Sequence, residues 1–303
     1  SPLYLSLSNH NIENSMANIV WLASYPKSGN TWLRAYIYNL LVQPAQPATL
    51  ADITGFFESE ANPKYYRRFL TKPLEEATFE ELIALRPKVQ QDIIESQGQG
   101  SIMLKTHNQL TVLHDTPLHN LSLTAAAIYV LRNPLDVVLS VADHFALSVD
   151  EAIEFMNNPN TGTGTDVESV GGFLGSWSQH VESWTYSKHE RFLVIRYEDM
   201  LDRALPTFSR VAQQLGLPVD KERVKRSIEA ASFKHMRQRE TETGFTERAV
   251  HSKQFFRRGE KNQWIGVLSE TQIAAIVDAH YEQMNQFDYI PPKFRKRRTK
   301  SSS

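Results

Sequence analysis

Hydrophobic positions along the chain fall into short continuous runs. Each is followed by a polar turn and then by a stretch of helical spacing. Ile19-Val20-Trp21-Leu22-Ala23 is β-branched and aromatic, the pattern of a buried strand. The turn Ser24–Asn30 follows it, and Thr31–Leu41 then places Leu33, Tyr36, Ile37, Leu40 and Leu41 on one helical face, closed by Pro44 and Pro47. Ile102–Leu104, Ala126–Leu131 and Phe192–Ile195 are three further strand-like runs. Asn133-Pro134 reads as a helix cap with proline at the first helical position. Helices are expected at 206–215, 220–231 and 269–284, and irregular loops or lids at 52–70, 146–172 and 234–256. Strand–helix alternation of this kind predicts an α/β domain with a central, mostly parallel sheet flanked by helices. Ligands of such sheets sit at the carboxyl ends of the strands. Lys27, His107, Arg132 and Tyr197 each follow one predicted strand, so four separate segments are expected to aim polar groups at one sheet edge.

Composition narrows the class. The 303 residues are 41 % hydrophobic and 22 % charged, which excludes disordered, collagen-like and low-complexity chains. The cysteine count of zero removes disulfides, thiolate metal sites and a cysteine nucleophile. A net charge of −1 hides an asymmetry, because Lys293, Arg295, Lys296, Arg297, Arg298 and Lys300 crowd the C-terminus. The body is therefore acidic, which argues against a nucleic-acid partner. The basic end reads as a solvated tail, with docking to an acidic surface as the alternative. No apolar run approaches the ~20 residues of a membrane span, and no secretory signal precedes the first strand. A cytoplasmic location is expected, with residues 1–15 as an N-terminal extension, 16–290 as one domain and 291–303 as the tail.

The turn Tyr25-Pro26-Lys27-Ser28-Gly29-Asn30-Thr31-Trp32 carries the chemistry. A glycine, hydroxyl and amide donors and a lysine at a helix start make an anion cradle. The lysine precedes the glycine, whereas in the ATP-type loop it follows the second glycine, and no acidic metal partner is evident at a strand end. A metal-independent donor is favoured over Mg·ATP.

At these residues the chain resembles the cytosolic-type sulfotransferases, which use 3′-phosphoadenosine 5′-phosphosulfate (PAPS) and release 3′-phosphoadenosine 5′-phosphate (PAP). The turn resembles that family's 5′-phosphosulfate loop. Lys105-Thr106-His107, Tyr129–Ser140 around Arg132-Asn133-Pro134, Arg196–Met200, Ala231–Lys234, and Phe256-Arg257-Arg258-Gly259 with Trp264 resemble five further family segments in the same order. The resemblance implies the P-loop-nucleotide-hydrolase-like sulfotransferase fold of a bacterial-type member, and in-line sulfuryl transfer without a metal. It gives Lys27 the leaving phosphate and His107 the acceptor proton, with Lys105 beside them. Ser28, Gly29, Asn30 and Thr31 are implied to hold the 5′-phosphate. Arg132, Ser140, Arg257, Arg258 and Gly259 are implied to hold the 3′-phosphate, and Trp32, Tyr197 and Phe233 to surround adenine. His10, His144, His180 and His251 have no comparable support. The implied acceptor is a small or carrier-bound hydroxyl or amine compound. Phe56, Phe57, Tyr65, Tyr66 and Phe69 are the expected apolar wall of its pocket. The short dimer motif of many animal members is not evident after Trp264, so the oligomeric state is left open. Two other readings are a kinase of the ATP-loop architecture and a nucleotide-binding module without catalysis.

Overall fold

The computed structural model describes residues 19–98, 100–186, 190–217, 219–245, 247–248, 251 and 259–295. The strands are β1 (Ile19–Ser24), β2 (Glu58–Ser59), β3 (Ile102–Thr106), β4 (Val112–Leu113), β5 (Thr116–Pro117), β6 (Thr124–Leu131) and β7 (Phe192–Arg196). The first six helices are α1 (Asn30–Val42), α2 (Leu50–Phe56), α3 (Pro63–Tyr66), α4 (Phe79–Gln97), α5 (Pro134–Phe145) and α6 (Val149–Asn157). The other six are α7 (Trp177–Thr185), α8 (Tyr197–Asp202), α9 (Ala204–Gln214), α10 (Lys221–Ala230), α11 (Phe233–Thr243) and α12 (Glu270–Gln286).

The main sheet has the order β2-β3-β1-β6-β7, and every pairing in it is parallel. β4 and β5 form a separate antiparallel pair. Both faces of β1 are buried, which explains its unbroken apolar sequence. Ile19, Trp21 and Ala23 face a core shared with α4, α5, α6, α7 and α12. Val20 and Leu22 face a second core with α1, α2, α9 and α10. Each such fully buried aliphatic side chain contributes ~1.5–3 kcal/mol of transfer free energy. β1 has β3 on one side and β6 on the other, so the chain order switches around it. A crevice forms at such a switch, beyond the carboxyl ends of the strands.

The four expected strands are present, and the three expected helices become α9, α10 and α12. The stretches expected to be irregular contain α2, α3, α6 and α11. Capping boxes account for two of these: Thr49 with Asp52 starts α2, and Ser148 with Glu151 starts α6. The long helix α4 was not expected. It starts at a Thr78–Glu81 capping box and runs through Pro87, a residue that usually ends a helical pattern. Residues 291–295 pack back on the body. Phe294 is buried, Lys293 pairs with Glu270, and Arg295 with Asp288 at 2.8 Å. Among the described residues no helix is long and apolar enough to cross a membrane.

Candidate active site

The loop after β1 is tightly bent. Lys27 has φ 66° and Gly29 φ 106°, both left-handed. At a non-glycine residue such a conformation is uncommon and strained, and it recurs at functional sites. Gly29 is required twice over, because a Cβ there would come 2.7 Å from the Tyr197 ring. Gly29 is also the N-cap of α1 and supplies no side-chain cap, so the first amides of the helix lack that partner. Ser28 is fully buried, and its Oγ has no hydrogen-bond partner among the described residues. An unpaired buried hydroxyl is costly. An anion seated on the loop would pair it, so the loop fits a phosphosulfate group.

Lys27, Lys105, His107, Arg132, Ser140, Tyr197, Phe233 and Gly259 all line one cavity of about 1100 Å³. That exceeds the ~300–1,000 Å³ of most ligand sites, leaving space for a nucleotide and a second molecule. The four strand ends read from the sequence therefore converge. His107 follows β3, and its Nδ1 lies 2.8 Å from the Ser24 carbonyl and 3.3 Å from the Ser24 hydroxyl. A carbonyl only accepts, so Nδ1 carries the proton and Nε2 is left as the basic nitrogen. Burial, reinforced by the Lys105 charge, lowers the His107 imidazole to about 3, against the opposing effects of Ser24 and Glu247. It is neutral at pH 7. Burial likewise lowers the Lys27 amine to about 8, with Glu247 and Asp143 opposing and Arg132 and Lys105 assisting.

Arg132 braces this loop. Its Nη1 donates to the Lys27 carbonyl at 3.0 Å and its Nη2 to the Glu260 carbonyl at 3.4 Å. The guanidinium lies 4.3 Å from the Tyr197 ring centre, while its buried Nε has no partner among the described residues. Trp32 meets Tyr197 edge-on at 5.6 Å. Gly259, at φ 62°, lies so close to Phe233 that a Cβ would come 2.3 Å from the ring. Trp32, Tyr197, Phe233 and Gly259 thus line the same cavity. The Asn30 side-chain amide donates to the Leu22 carbonyl at 3.0 Å and accepts from Arg34 at 3.0 Å, so it also braces the turn. Arg257 and Arg258 lie outside the described residues, as does His10.

The other wall of the cavity is Leu139, Phe145, Phe155, Val170 and Leu174, with His144 among them. The aromatic side chains expected there are not part of it, although Ser59, Glu60 and Ala61 between them are. Phe57, Tyr65 and Tyr66 are buried in the two cores, and Phe56 and Phe69 pack against them. Tyr66 donates to Glu60, which also pairs with Arg86 in the interior. Arg86 in turn donates to the Gly171 carbonyl at 2.6 Å, and Asn108 accepts from the Phe173 amide at 2.9 Å. These contacts anchor the segment 162–174 over the cavity.

The sulfotransferase domain family matches residues 18–288. The chain belongs to the sulfotransferase family. Mouse sulfotransferase 2A2 is 24 % identical over 276 residues, 88 % of this chain and 84 % of that protein. Flavonol 3-sulfotransferase of Flaveria bidentis is 27 % identical over 286 residues, 86 % of this chain and 79 % of that protein. The fold of mouse sulfotransferase SULT7A1 complexed with PAP superimposes with a TM-score of 0.60 at 19 % identity, covering 91 % of this chain and 90 % of that one.

Several acidic residues that brace the segments around the cavity escaped the sequence reading. Glu247 places its carboxylate against Arg34 at 2.8 and 2.9 Å, Thr31 at 3.3 Å and Lys105 at 3.3 Å. Burial would raise its pKa, but Arg34 and Lys105 outweigh that and hold it well below the carboxylate range. Asp136 accepts from the amides of Asn262 at 2.8 Å and Trp264 at 3.1 Å. Glu198 accepts from the Asn133 amide at 3.0 Å and the Tyr289 hydroxyl at 2.7 Å. Asp136 and Glu198 lie within motifs already singled out, so an acid repeatedly placed beside a capped turn was the available signal.

Proposed function

We propose that this sulfotransferase moves the sulfuryl group of PAPS to a hydroxyl or amine of a small-molecule or carrier-bound acceptor. The observation that carries this reading is the shared cavity of Lys27, Lys105 and His107, beside a loop whose Ser28 hydroxyl lacks a partner. PAPS supplies an activated sulfuryl group: an S–O bond forms to a hydroxyl acceptor or an S–N bond to an amine, the S–O bond to the 5′-phosphate breaks, and PAP and a proton are released.

Ser28, Gly29 and Thr31 hold the 5′-phosphate end, with the amides of the α1 start. Arg132 and Ser140 hold the 3′-phosphate with Gly259, and on the family resemblance Arg257 and Arg258 join them. Trp32, Tyr197 and Phe233 enclose the base. Lys27, held by the strained loop, places a full positive charge where negative charge grows on the leaving phosphate. Lys105, two residues before His107, adds charge on the same side. His107 accepts the acceptor proton at Nε2 while Nδ1 stays bound to the Ser24 carbonyl. The wall of Leu139, Phe145 and Phe155 seats an acceptor with an apolar part.

Incubation with PAPS and a panel of phenols, alcohols and amines, read by mass spectrometry, tests the proposal. Formation of PAP with an acceptor gaining one SO₃ is expected. Lys27→Ala abolishes that product with the fold retained, and His107→Ala lowers turnover by roughly 10²–10⁴-fold. Tight PAP binding with no sulfated product from any acceptor identifies a binding module instead. ATP turnover that depends on magnesium identifies a kinase.

A further inference from the structure

The His107 base is held at its backbone by a chain of hydrogen bonds whose hub is a second, fully buried histidine. His180 on α7 is 0 % exposed and lies 2.9 Å through Nε2 from the His107 carbonyl and 2.9 Å through Nδ1 from the Tyr129 hydroxyl. Proton assignment follows from the partners. The His107 carbonyl only accepts, so His180 carries its proton on Nε2, and its bare Nδ1 accepts from Tyr129. Tyr25, whose ring meets the His180 ring edge-on, is joined by one peptide bond to Ser24, whose carbonyl accepts from His107 Nδ1. A chain of hydrogen bonds thus runs from Tyr129 through His180 to the backbone of His107, and the His107 ring is bound separately to Ser24 of the loop that carries Lys27.

Two neighbours of His180 on α7 grip the same segment. Trp184 Nε1 donates to the Asn108 carbonyl at 3.1 Å, and Ser183 Oγ accepts from the Leu110 amide at 3.0 Å. The His180 ring is itself fixed, with Tyr25 edge-on at 5.3 Å and Tyr129 stacked at 5.7 Å. Burial keeps it neutral, which the assigned proton positions require.

We infer that His180 is a positioning residue for the base: together with Tyr129 it fixes the place and the tautomer of His107 relative to Lys27. The inference rests on the base role proposed above, but one part of it is read without turnover. His180→Leu removes both hydrogen bonds from the buried ring, and His180→Gln restores a donor and an acceptor. Tyr129→Phe breaks the chain at His180 Nδ1 with little change in volume and serves if His180→Leu does not fold.

The experiment combines nitrogen NMR of the His107 ring, PAP binding and, where an acceptor is known, steady-state kinetics. In the wild type His107 is expected in the Nδ1–H tautomer alone. His180→Leu or Tyr129→Phe adds the Nε2–H tautomer, and His180→Gln reverses that change. PAP affinity stays within threefold, while kcat falls ~10–10²-fold, the scale of a misplaced catalytic group. In a His107→Ala background the same substitutions have no further effect on kcat. A His107 tautomer unchanged in both folded variants overturns the inference, as does a kcat loss of equal size with and without His107. If the wild type makes no sulfated product, the function proposed above fails, and the tautomer measurement alone decides the role of His180.

Discussion

The Glu247 carboxylate is bound by the Arg34 guanidinium through two contacts, 2.8 and 2.9 Å, one helical turn behind the anion loop. Arg34 is 2 % exposed and also donates to Asn30 and Thr31. A negative charge of the protein's own thus lies among Arg34, Thr31 and Lys105, the groups nearest the loop that fits a phosphosulfate.

Such a charge competes with an anionic ligand for the same cations. At a separation of ~5 Å and an effective dielectric of ~20, two unit charges interact by about 3 kcal/mol. Glu247→Gln is therefore expected to tighten PAP binding by ~10-fold or more, each factor of ten being about 1.4 kcal/mol. Calorimetric titration with PAP checks this, and unchanged or weaker binding shows that Glu247 helps to build the site instead of opposing the ligand.

The ammonium of Lys27 titrates near the physiological range. Its pKa is lowered by burial to about 8, so the cation is complete below that value and is lost as pH rises through it. An anion favours the protonated form, so PAP affinity is expected to fall above pH 8, with a limit of ~10-fold per pH unit for one proton. Lys105 is also lowered, by burial first, so assignment needs the variant. In Lys27→Met the alkaline loss should shrink along with the affinity itself. Titrations from pH 7 to 9.5 decide, and an alkaline limb of the same slope in the variant assigns it to another group.

For His107 the sign is opposite in its consequence. Burial and Lys105 lower it to about 3, so the ring is neutral and proton-accepting at pH 5–8 before nucleotide arrives. PAP phosphates bound in the same cavity would stabilise the imidazolium, so its pKa is expected to rise in the complex. Proton NMR of the ring should show no titration between pH 5 and 8 in the free protein and an upward shift with PAP. A midpoint near 6.5 without nucleotide contradicts the buried, Ser24-bound geometry.

The parts of the site that were legible in the sequence share one property: each is written in contiguous residues. β1 is buried on both faces, so Ile19–Ala23 is continuously apolar, and the loop follows it at once. Lys27, His107, Arg132 and Tyr197 each follow a strand of the main sheet and meet in one cavity. What was not legible depends on contacts between distant segments or on direction. Arg34 and Glu247 are 213 positions apart and follow no period. His180 resembles any helical histidine until Tyr129 and His107 are placed against it. The aromatic run at 56–69 gave hydrophobicity without orientation, and its rings turned into the core, with Tyr66 bonded to Glu60. The wall came instead from α5 and α6, through Leu139, Phe145 and Phe155.

The buried pair Glu60–Arg86 links that core to the segment 162–174 at the cavity, where the acceptor is proposed to sit. Their side chains are 2 % and 0 % exposed, and Gln90 and Tyr66 complete the bonding of the carboxylate. Arg86→Met leaves the Glu60 charge without its partner, a loss of ~3–5 kcal/mol for a buried pair. It also frees the Gly171 carbonyl, to which Arg86 now donates. Segment 162–174 then loses one anchor but keeps the bonds of Phe173 to Asn108 and of Val170 to the Ala61 carbonyl. The nucleotide loop is untouched by the change. The expected outcome is a large drop in urea stability, a raised KM for the acceptor and a PAP dissociation constant within threefold of wild type. Equal loosening of both substrates would show that the pair supports the sheet as a whole and not the acceptor segment.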